Sequence, residues 1–294
     1  MPESQDIYEM DKIAQKLLSS GQQNQSMKTN RRIIDNAEKE ITSANSSHNY
    51  YKVVLRHRQE YFRRPVLQAV YRHWACCIRR CLSSVKGRSI ELGCGCGALS
   101  HYLGLTKTDI YKHDWVDEVV DACDMPYKDG DVANLVAIDV LHHLPDVCRF
   151  LNEVNRVLTG GGRLVMLEPY ISFFSYFIYR FIHHEPLDKN VSPFEPITLV
   201  DKESGEACNE AIPTLLFVQH QKELRQRWPQ LRTILLTFSD VLVYPLTGGF
   251  SHRSWLPASW VEPLMKFEDT LLKKTGRFLG MRMLVVMEKK QAQK

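Results

Sequence analysis

Residues Glu91 to Gly97 read ELGCGCG, and they follow directly on Ser89-Ile90. A short apolar strand that runs into alternating glycines, with helix-forming Ala98 to Leu103 beyond, limits the folds open to this chain. Glycine lets a backbone turn tightly and lets a ligand approach it closely. In an open parallel sheet the place for such a loop is beyond the carboxyl end of a strand, where strand order reverses. The spacing is not the G-x-G-x-x-G of a dinucleotide loop, and no Lys-Ser or Lys-Thr follows as in a P-loop. The loop therefore need not cradle phosphate.

The rest of the chain agrees with a parallel, doubly wound α/β sheet. Leu135 to Ile138 and Arg163 to Leu167 are apolar strands around a helical Val147 to Leu158, which Gly160-Gly161-Gly162 stops. Thr233 to Tyr244 and Met281 to Met287 have the pattern of two further strands. Tyr50 to Leu82 is helical in pattern, with Pro65 opening a second helix. The predicted organisation is a polar, mobile tail over 1–48 with a short helix near Ile7 to Leu18, and N-terminal helices over 49–87. A ligand-binding core follows over 88–169, then an aromatic cap over 170–230 above the ligand crevice, and C-terminal strands over 231–294 that complete the sheet.

Composition narrows the function. At 294 residues and 44% hydrophobic the chain can bury a sizeable core, and a net charge of +4 implies no nucleic-acid partner by itself. Basic residues crowd Arg56 to Arg88; the reading is a solvated helix face, and the alternative is a patch for an anionic partner. The eight cysteines do not fall at zinc-knuckle spacing, and the N-terminus lacks a cleavable signal pattern. Reduced cysteines in a cytoplasmic protein are expected, with no transmembrane segment, since Leu164 to Ile182 is broken by Glu168, Pro169 and Arg180. No metal is expected: His183 and His184, beside Glu185, point apart on a helix.

Acids around the loop define the ligand. Glu91 precedes it. Asp109 can grip two ribose hydroxyls, and an acid at Asp121, beside Ala122, can accept from an adenine amino group. A ligand with ribose and adenine but no phosphate matches this set.

With ELGCGCG, TDIYKHDWVDEVVDACDMPYKDG, VAIDVLHHLPD and NEVNRVLTGGGRLVMLEPY in this order, Arg88 to Tyr170 resembles a class I S-adenosylmethionine-dependent methyltransferase, type 11-like. The resemblance implies a Rossmann-like sheet and S-adenosylmethionine as cofactor. It assigns Glu91, Gly93, Cys94, Gly95 and Gly97 to the methionine part, Asp109 to the ribose, Asp121 and Ala122 to the adenine, and Asp139 to the neighbourhood of the methionine. The segment before Asp121 is short, so the helix after the second strand is missing or reduced and the ribose role has Asp114 as its alternative. Cys94 and Cys96 are read as small loop residues.

Candidate catalytic groups are His142, after the fourth strand, as general base, and Tyr170 and Tyr176 as partners of a sulfonium or hydrogen-bonding groups. Each has a bland alternative: His142 as family scaffolding, the tyrosines as core. No Asn-Pro-Pro-Tyr, Asp-Pro-Pro-Tyr or Pro-Cys stretch points to nucleic-acid methylation. Three functions remain: methyl transfer to an O or N atom of a small molecule; closure of S-adenosylmethionine to azetidine-2-carboxylate with release of methylthioadenosine, as in azetidine-2-carboxylate synthases; or a non-catalytic adenosyl-ligand-binding protein. Oligomeric state is not written in any motif.

Overall fold

The computed structural model describes residues 45–181, 185–199 and 207–291. The chain divides between His48 and Asn49, and the unit Asn49–Lys294 is the subject below. The tail as far as residue 44, the helix near Ile7 to Leu18, and His183 and His184 lie outside the described residues, whereas 45–48 already belong to a helix.

The elements are α1 (Asn45–Arg63), α2 (Pro65–Arg79), β1 (Arg88–Leu92), α3 (Ser100–Leu103), β2 (Thr106–Asp109), β3 (Glu118–Val119), β4 (Val132–Ile138), α4 (Val147–Val157), β5 (Leu158–Pro169), α5 (Phe173–Phe181), α6 (Ile212–Thr214), α7 (Gln221–Arg227), β6 (Leu231–Ser239), α8 (Val243–Leu246), α9 (Ala258–Leu279) and β7 (Arg282–Lys289). Seven strands form one sheet in the order β3-β2-β1-β4-β5-β7-β6. The first five in this order are parallel, and β7 runs antiparallel to both β5 and β6. Strand order reverses between β1 and β4, so the glycine loop opens at the switch point, as the sequence requires.

Alternation along the strands builds two cores. Leu135 and Ala137, Leu164 and Met166, and Met283 and Val285 face a layer with Phe150, Leu151 and Val154 of α4. Val136, Val165, Leu167, Leu284 and Val286 face the opposite layer of α2 and α9, with Leu67, Val70, Trp74, Val261 and Met265. Successive side chains point to opposite faces of a strand, so a run buried on both faces must be apolar throughout.

Several boundaries differ from expectation. The three glycines do not merely stop α4. They lie inside β5, which starts at Leu158, with Gly161 at φ +80° and a register shift against β4. β6 ends at Ser239 because Asp240 takes φ +54°, and Val243–Leu246 is helical. Between β2 and β3 there is no helix among the described residues, which matches the short spacing there. None of the described helices is long and apolar enough to cross a membrane.

Candidate functional site

The rim of the sheet beyond β1, β2, β4 and β5 gathers the acids singled out in the sequence. β7 begins there, because Arg282 pairs with Pro169, and Ser239 of β6 pairs with Arg282. Asp109, Asp139, Tyr170, Asp240 and Arg282 thus share one edge.

At the centre the loop carries Gly93, Gly95 and Gly97 at φ +58°, +48° and +72°. A side chain at Gly93 would meet Val140 Cγ2 at 2.7 Å, whereas one at Gly95 would find only Gly93 O, at 4.0 Å. Gly93 is thus required by both conformation and space, and Gly95 by conformation alone, with its free face open to a ligand. The Cys94 N–H donates to Thr108 O at 2.8 Å and ties the loop to β2. Cys94 and Cys96 are buried, and burial pushes both thiols up, Cys96 to about 12. They are inert loop residues rather than nucleophiles.

Asp109 ends β2 and is 1% exposed. Its carboxylate accepts the Gly95 N–H at 2.9 Å and the Tyr111 N–H at 3.3 Å. The Tyr50 hydroxyl, from α1, donates to both its oxygens at 3.2 and 3.3 Å. Asp114 is exposed and Asp109 is the acid bonded to the loop. Glu91 is buried beside them, with the Ser100 hydroxyl donating to it. Burial, relieved in part by Ser100, lifts its carboxyl to about 7. Asp121 is exposed and accepts the Cys123 N–H at 2.7 Å, while Ala122 is buried.

α1 covers this group, which the sequence did not reveal. Arg58 donates to Cys96 O at 2.7 Å and lies 4.2 Å over Trp115, whose indole N–H donates to Gly95 O at 2.7 Å. His113 stacks on Trp115 at 4.8 Å and on Tyr51 at 5.0 Å. The basic segment is accordingly not only a solvated face. Arg64 donates to the carbonyls of Gly249 and Thr247 at 2.6 and 2.5 Å, and Arg79 donates to Tyr102 O. Guanidiniums close to helix ends are stapling the fold.

Asp139 ends β4 at φ +55° and pairs with Arg282, itself 4% exposed and 4.6 Å over Trp74. A non-glycine residue held in the left-handed region is strain that the surrounding contacts must hold in place, and such strain concentrates at functional sites. The next turn, Leu141–His143, brings in His142. The His142 imidazole is buried, with Nδ1 2.8 Å from Glu168 and Nε2 3.5 Å from Glu185. Glu168, wholly buried near the end of β5, also accepts the N–H groups of Val140 and Leu141, both at 2.9 Å. Burial drives the proton off His142, but hydrogen bonds to Glu168 and Glu185 outweigh it and hold the imidazole well above its usual range. Glu210, Cys208 and His143 close the cluster. Burial pushes the Glu210 carboxyl well above the carboxylate range, His142 opposing and Glu185 adding.

The two candidate tyrosines have other side-chain partners. Tyr170 is buried, 4.3 Å from Phe238, and its hydroxyl donates to Arg277 O at 3.1 Å. Tyr176 lies against Lys189, whose Nζ is 4.1 Å from the ring centroid, beside a cavity of about 390 Å³ that Phe177, Thr214 and Gln219 also line. α5 turns Phe173, Phe177 and Phe181 outward, at 72%, 49% and 75% exposure. On the other side of the same helix Tyr179 is buried, and Phe174 and Tyr176 are partly buried against it.

Comparison with known proteins places these features. Residues 90–166 match the family model described as a methyltransferase domain. The chain is 27% identical to tocopherol O-methyltransferase, chloroplastic, of Arabidopsis thaliana, over 26% of this chain and 29% of that protein. It is 40% identical to 27-O-demethylrifamycin SV methyltransferase of Amycolatopsis mediterranei, over 19% of this chain and 22% of that one. The chain thus spans less than a third of the curated relatives it matches. A solved S-adenosylmethionine-dependent methyltransferase of Thermotoga maritima is 13% identical at a TM-score of 0.45, covering 81% of this chain and 99% of that one. The segment that holds the glycine loop, Asp109, Asp139 and the start of the His142 cluster thus matches a methyltransferase domain and is similar to class I S-adenosylmethionine-dependent methyltransferases.

Proposed function

We propose that the chain transfers the methyl group of S-adenosylmethionine to an oxygen or nitrogen atom of a small molecule. The observation that carries this reading is the Asp109 carboxylate, bonded to the Gly95 N–H across the switch point and already facing a hydroxyl donor, that of Tyr50. A ribose diol would present two such hydroxyls.

The surrounding residues fit the ligand. Gly95 leaves space on its open face. Arg282 Nε and both nitrogens of His113 are buried without a hydrogen-bond partner among the described residues, as polar atoms awaiting a ligand or water would be. When bound, S-adenosylmethionine supplies an electrophilic methyl group on a sulfonium. Glu91 would face its ammonium, Asp109 its ribose, Asp121 and Ala122 its adenine, and Asp139, fixed by Arg282, the methionine end. In-line displacement needs chiefly positioning and the removal of one proton. His142, oriented from behind by Glu168, is the group for that proton, and because its carboxylate partners hold its own proton it acts as a base only in the deprotonated fraction of the protein. Tyr170 and Tyr176 are not part of this reading, given their contacts with Arg277 and Lys189.

A small-molecule acceptor is supported by the names of the two curated relatives, each a methyltransferase of a small organic molecule. Those names also favour methyl transfer over ring closure of S-adenosylmethionine itself. The loop geometry speaks against a purely non-catalytic role, since a disused site has no need of three left-handed glycines.

Calorimetric titration with S-adenosylhomocysteine tests the reading. Asp109→Ala is expected to weaken binding about 150-fold or more, the worth of two hydroxyl contacts to a charged group at roughly 1.5 kcal/mol or more each. Unchanged affinity would remove Asp109 from the ribose. Tyr50→Phe is expected to act in the opposite direction. Its hydroxyl competes for the same two oxygens, so its loss should tighten binding several-fold, by about 1 kcal/mol. Weaker binding in Tyr50→Phe would make Tyr50 a wall of the pocket instead.

A further inference from the structure

At the acceptor end of the rim, three separate segments bring unlike donor atoms to one point. His142 and His143 come from the turn after β4, Glu185 from the stretch after α5, and Cys208 from the stretch before α6. One donor atom from each lies within 4.8 Å of all the others. We propose that His142, His143, Glu185 and Cys208 form a binding site for a divalent transition-metal ion of the zinc class.

The distances fit the ion. Ligands at about 2.0 Å for nitrogen or oxygen and 2.3 Å for sulfur, set tetrahedrally, lie roughly 3.3–3.5 Å from one another. Measured from Glu185 Oε2, His142 Nε2 is at 3.5 Å, Cys208 Sγ at 3.5 Å and His143 Nε2 at 3.9 Å. These three edges from one vertex are slightly longer than those of a filled tetrahedron, and the donor atoms of the cluster all lie within 4.8 Å of one another. The donor set of imidazole, thiolate and carboxylate selects zinc-like ions over magnesium or calcium, which prefer oxygen alone.

A second feature is independent of the donors. A metal-binding histidine almost always spends its other nitrogen on a carboxylate, which fixes ring and tautomer. His142 does this: Nδ1 is 2.8 Å from Glu168, and Glu168 is anchored by two backbone N–H groups. Nε2 is thereby turned toward the cluster. The outer segments are likewise fixed. The Asn209 N–H donates to His142 O at 2.9 Å, and its side chain bonds Asp188 at both N–H and carbonyl, each at 3.0 Å. The Glu210 N–H donates to Pro186 O at 3.1 Å. Asn209 thus holds the Glu185 and Cys208 segments against the His142 turn. Such preorganisation costs chain entropy, and a bound ion would offset the crowding of Glu185 and Glu210.

The site does not depend on methyl transfer, and it stands or falls on ion binding. If filled, it changes His142 from proton acceptor to ligand. The test uses the full chain, purified without a metal resin, stripped with chelator and titrated with cobalt(II). One ion per chain is expected, with the visible bands of tetrahedral cobalt and a near-ultraviolet thiolate charge-transfer band, both bleached by zinc. Cys208→Ser should lose the charge-transfer band, and Glu185→Gln, at a partly exposed position, should weaken binding while staying folded. Glu168→Gln turns an amide toward Nδ1, reverses the tautomer and should weaken cobalt binding about 10- to 100-fold with the circular dichroism unchanged. Absence of the bands in folded wild type overturns the proposal. Bands that survive in Cys208→Ser with their charge transfer intact also overturn it, and would place the ion at His73, Cys77 and Asp269, a second cluster on the α2–α9 side. S-adenosylhomocysteine titration of the same samples reports separately on the cofactor reading.

Discussion

Glu168→Ala is expected to lower the melting temperature by about 10 °C or more, the largest loss from any single replacement at the site. The carboxylate is 0% exposed and accepts three hydrogen bonds, from Val140 N–H, Leu141 N–H and His142 Nδ1. Alanine leaves all three donors buried with no acceptor and adds a small void. Each orphaned donor costs roughly 1–3 kcal/mol, more where a charge is involved. The sum, about 4–6 kcal/mol, is a large part of the stability of an ordinary domain. At roughly 2–4 °C per kcal/mol for a unit of this size, the shift is about 8–24 °C. Glu168→Gln keeps the acceptor for the two backbone donors and should recover more than half of the loss. Thermal denaturation of the three proteins decides the matter. A loss under about 1 kcal/mol in Glu168→Ala would mean that water replaces the carboxylate and that the turn after β4 is looser than drawn.

The elements legible in the sequence are those in which one local pattern has one cause. The central runs Leu135–Ile138 of β4, Leu164–Leu167 of β5 and Met283–Met287 of β7 are covered on both faces, so they are apolar and stand out. Pro65 opens α2 because its missing N–H costs nothing in a first turn. β2 and β3 do not stand out. Thr106–Asp109 and Glu118–Val119 are short, polar and near the sheet edge, and were reachable only through the resemblance that implied an acid after a second strand. The acids expected at the cofactor are legible because each lies at or just after the carboxyl end of a parallel strand. The His142 cluster is not, because its members are joined only by the fold: Glu168 lies 26 residues from His142, and Cys208 lies 23 from Glu185. Glu168 carried one usable signal, an acid inside an apolar strand that must be paired if buried. α5 misled for a related reason. Phenylalanine-rich periodicity marks an apolar stripe without saying what it faces, and here much of it faces outward. Tyr50 and Asp109 are 59 residues apart, and no pattern in either segment announces that α1 closes on Asp109.

Glu91→Gln is expected to make the protein more stable, but only above the acid range. Burial raises the Glu91 carboxyl from 4.5 to about 7, Ser100 pulling it down and Asp109 adding to the rise. The folded state therefore holds this proton more tightly than the unfolded chain. Its contribution is fully present below about pH 4.5, falls as the pH rises, and is lost once the pH passes about 7. The span corresponds to about 3 kcal/mol, which the charged carboxylate costs the fold at about pH 8. Glutamine carries no such charge and can still accept from Ser100, so urea midpoints should diverge in its favour between about pH 5 and 8 and converge near pH 4. A difference that does not vary with pH would mean that Glu91 is charged in neither state or hydrated in both. The same substitution should weaken cofactor binding at neutral pH, because the cationic ammonium assigned to Glu91 would supply the countercharge that the free protein lacks. A residue that costs the apo fold about 3 kcal/mol and repays it only on binding is the signature of a site kept for its ligand, and the two measurements, stability up and affinity down, must move in opposite directions for that to be true of Glu91.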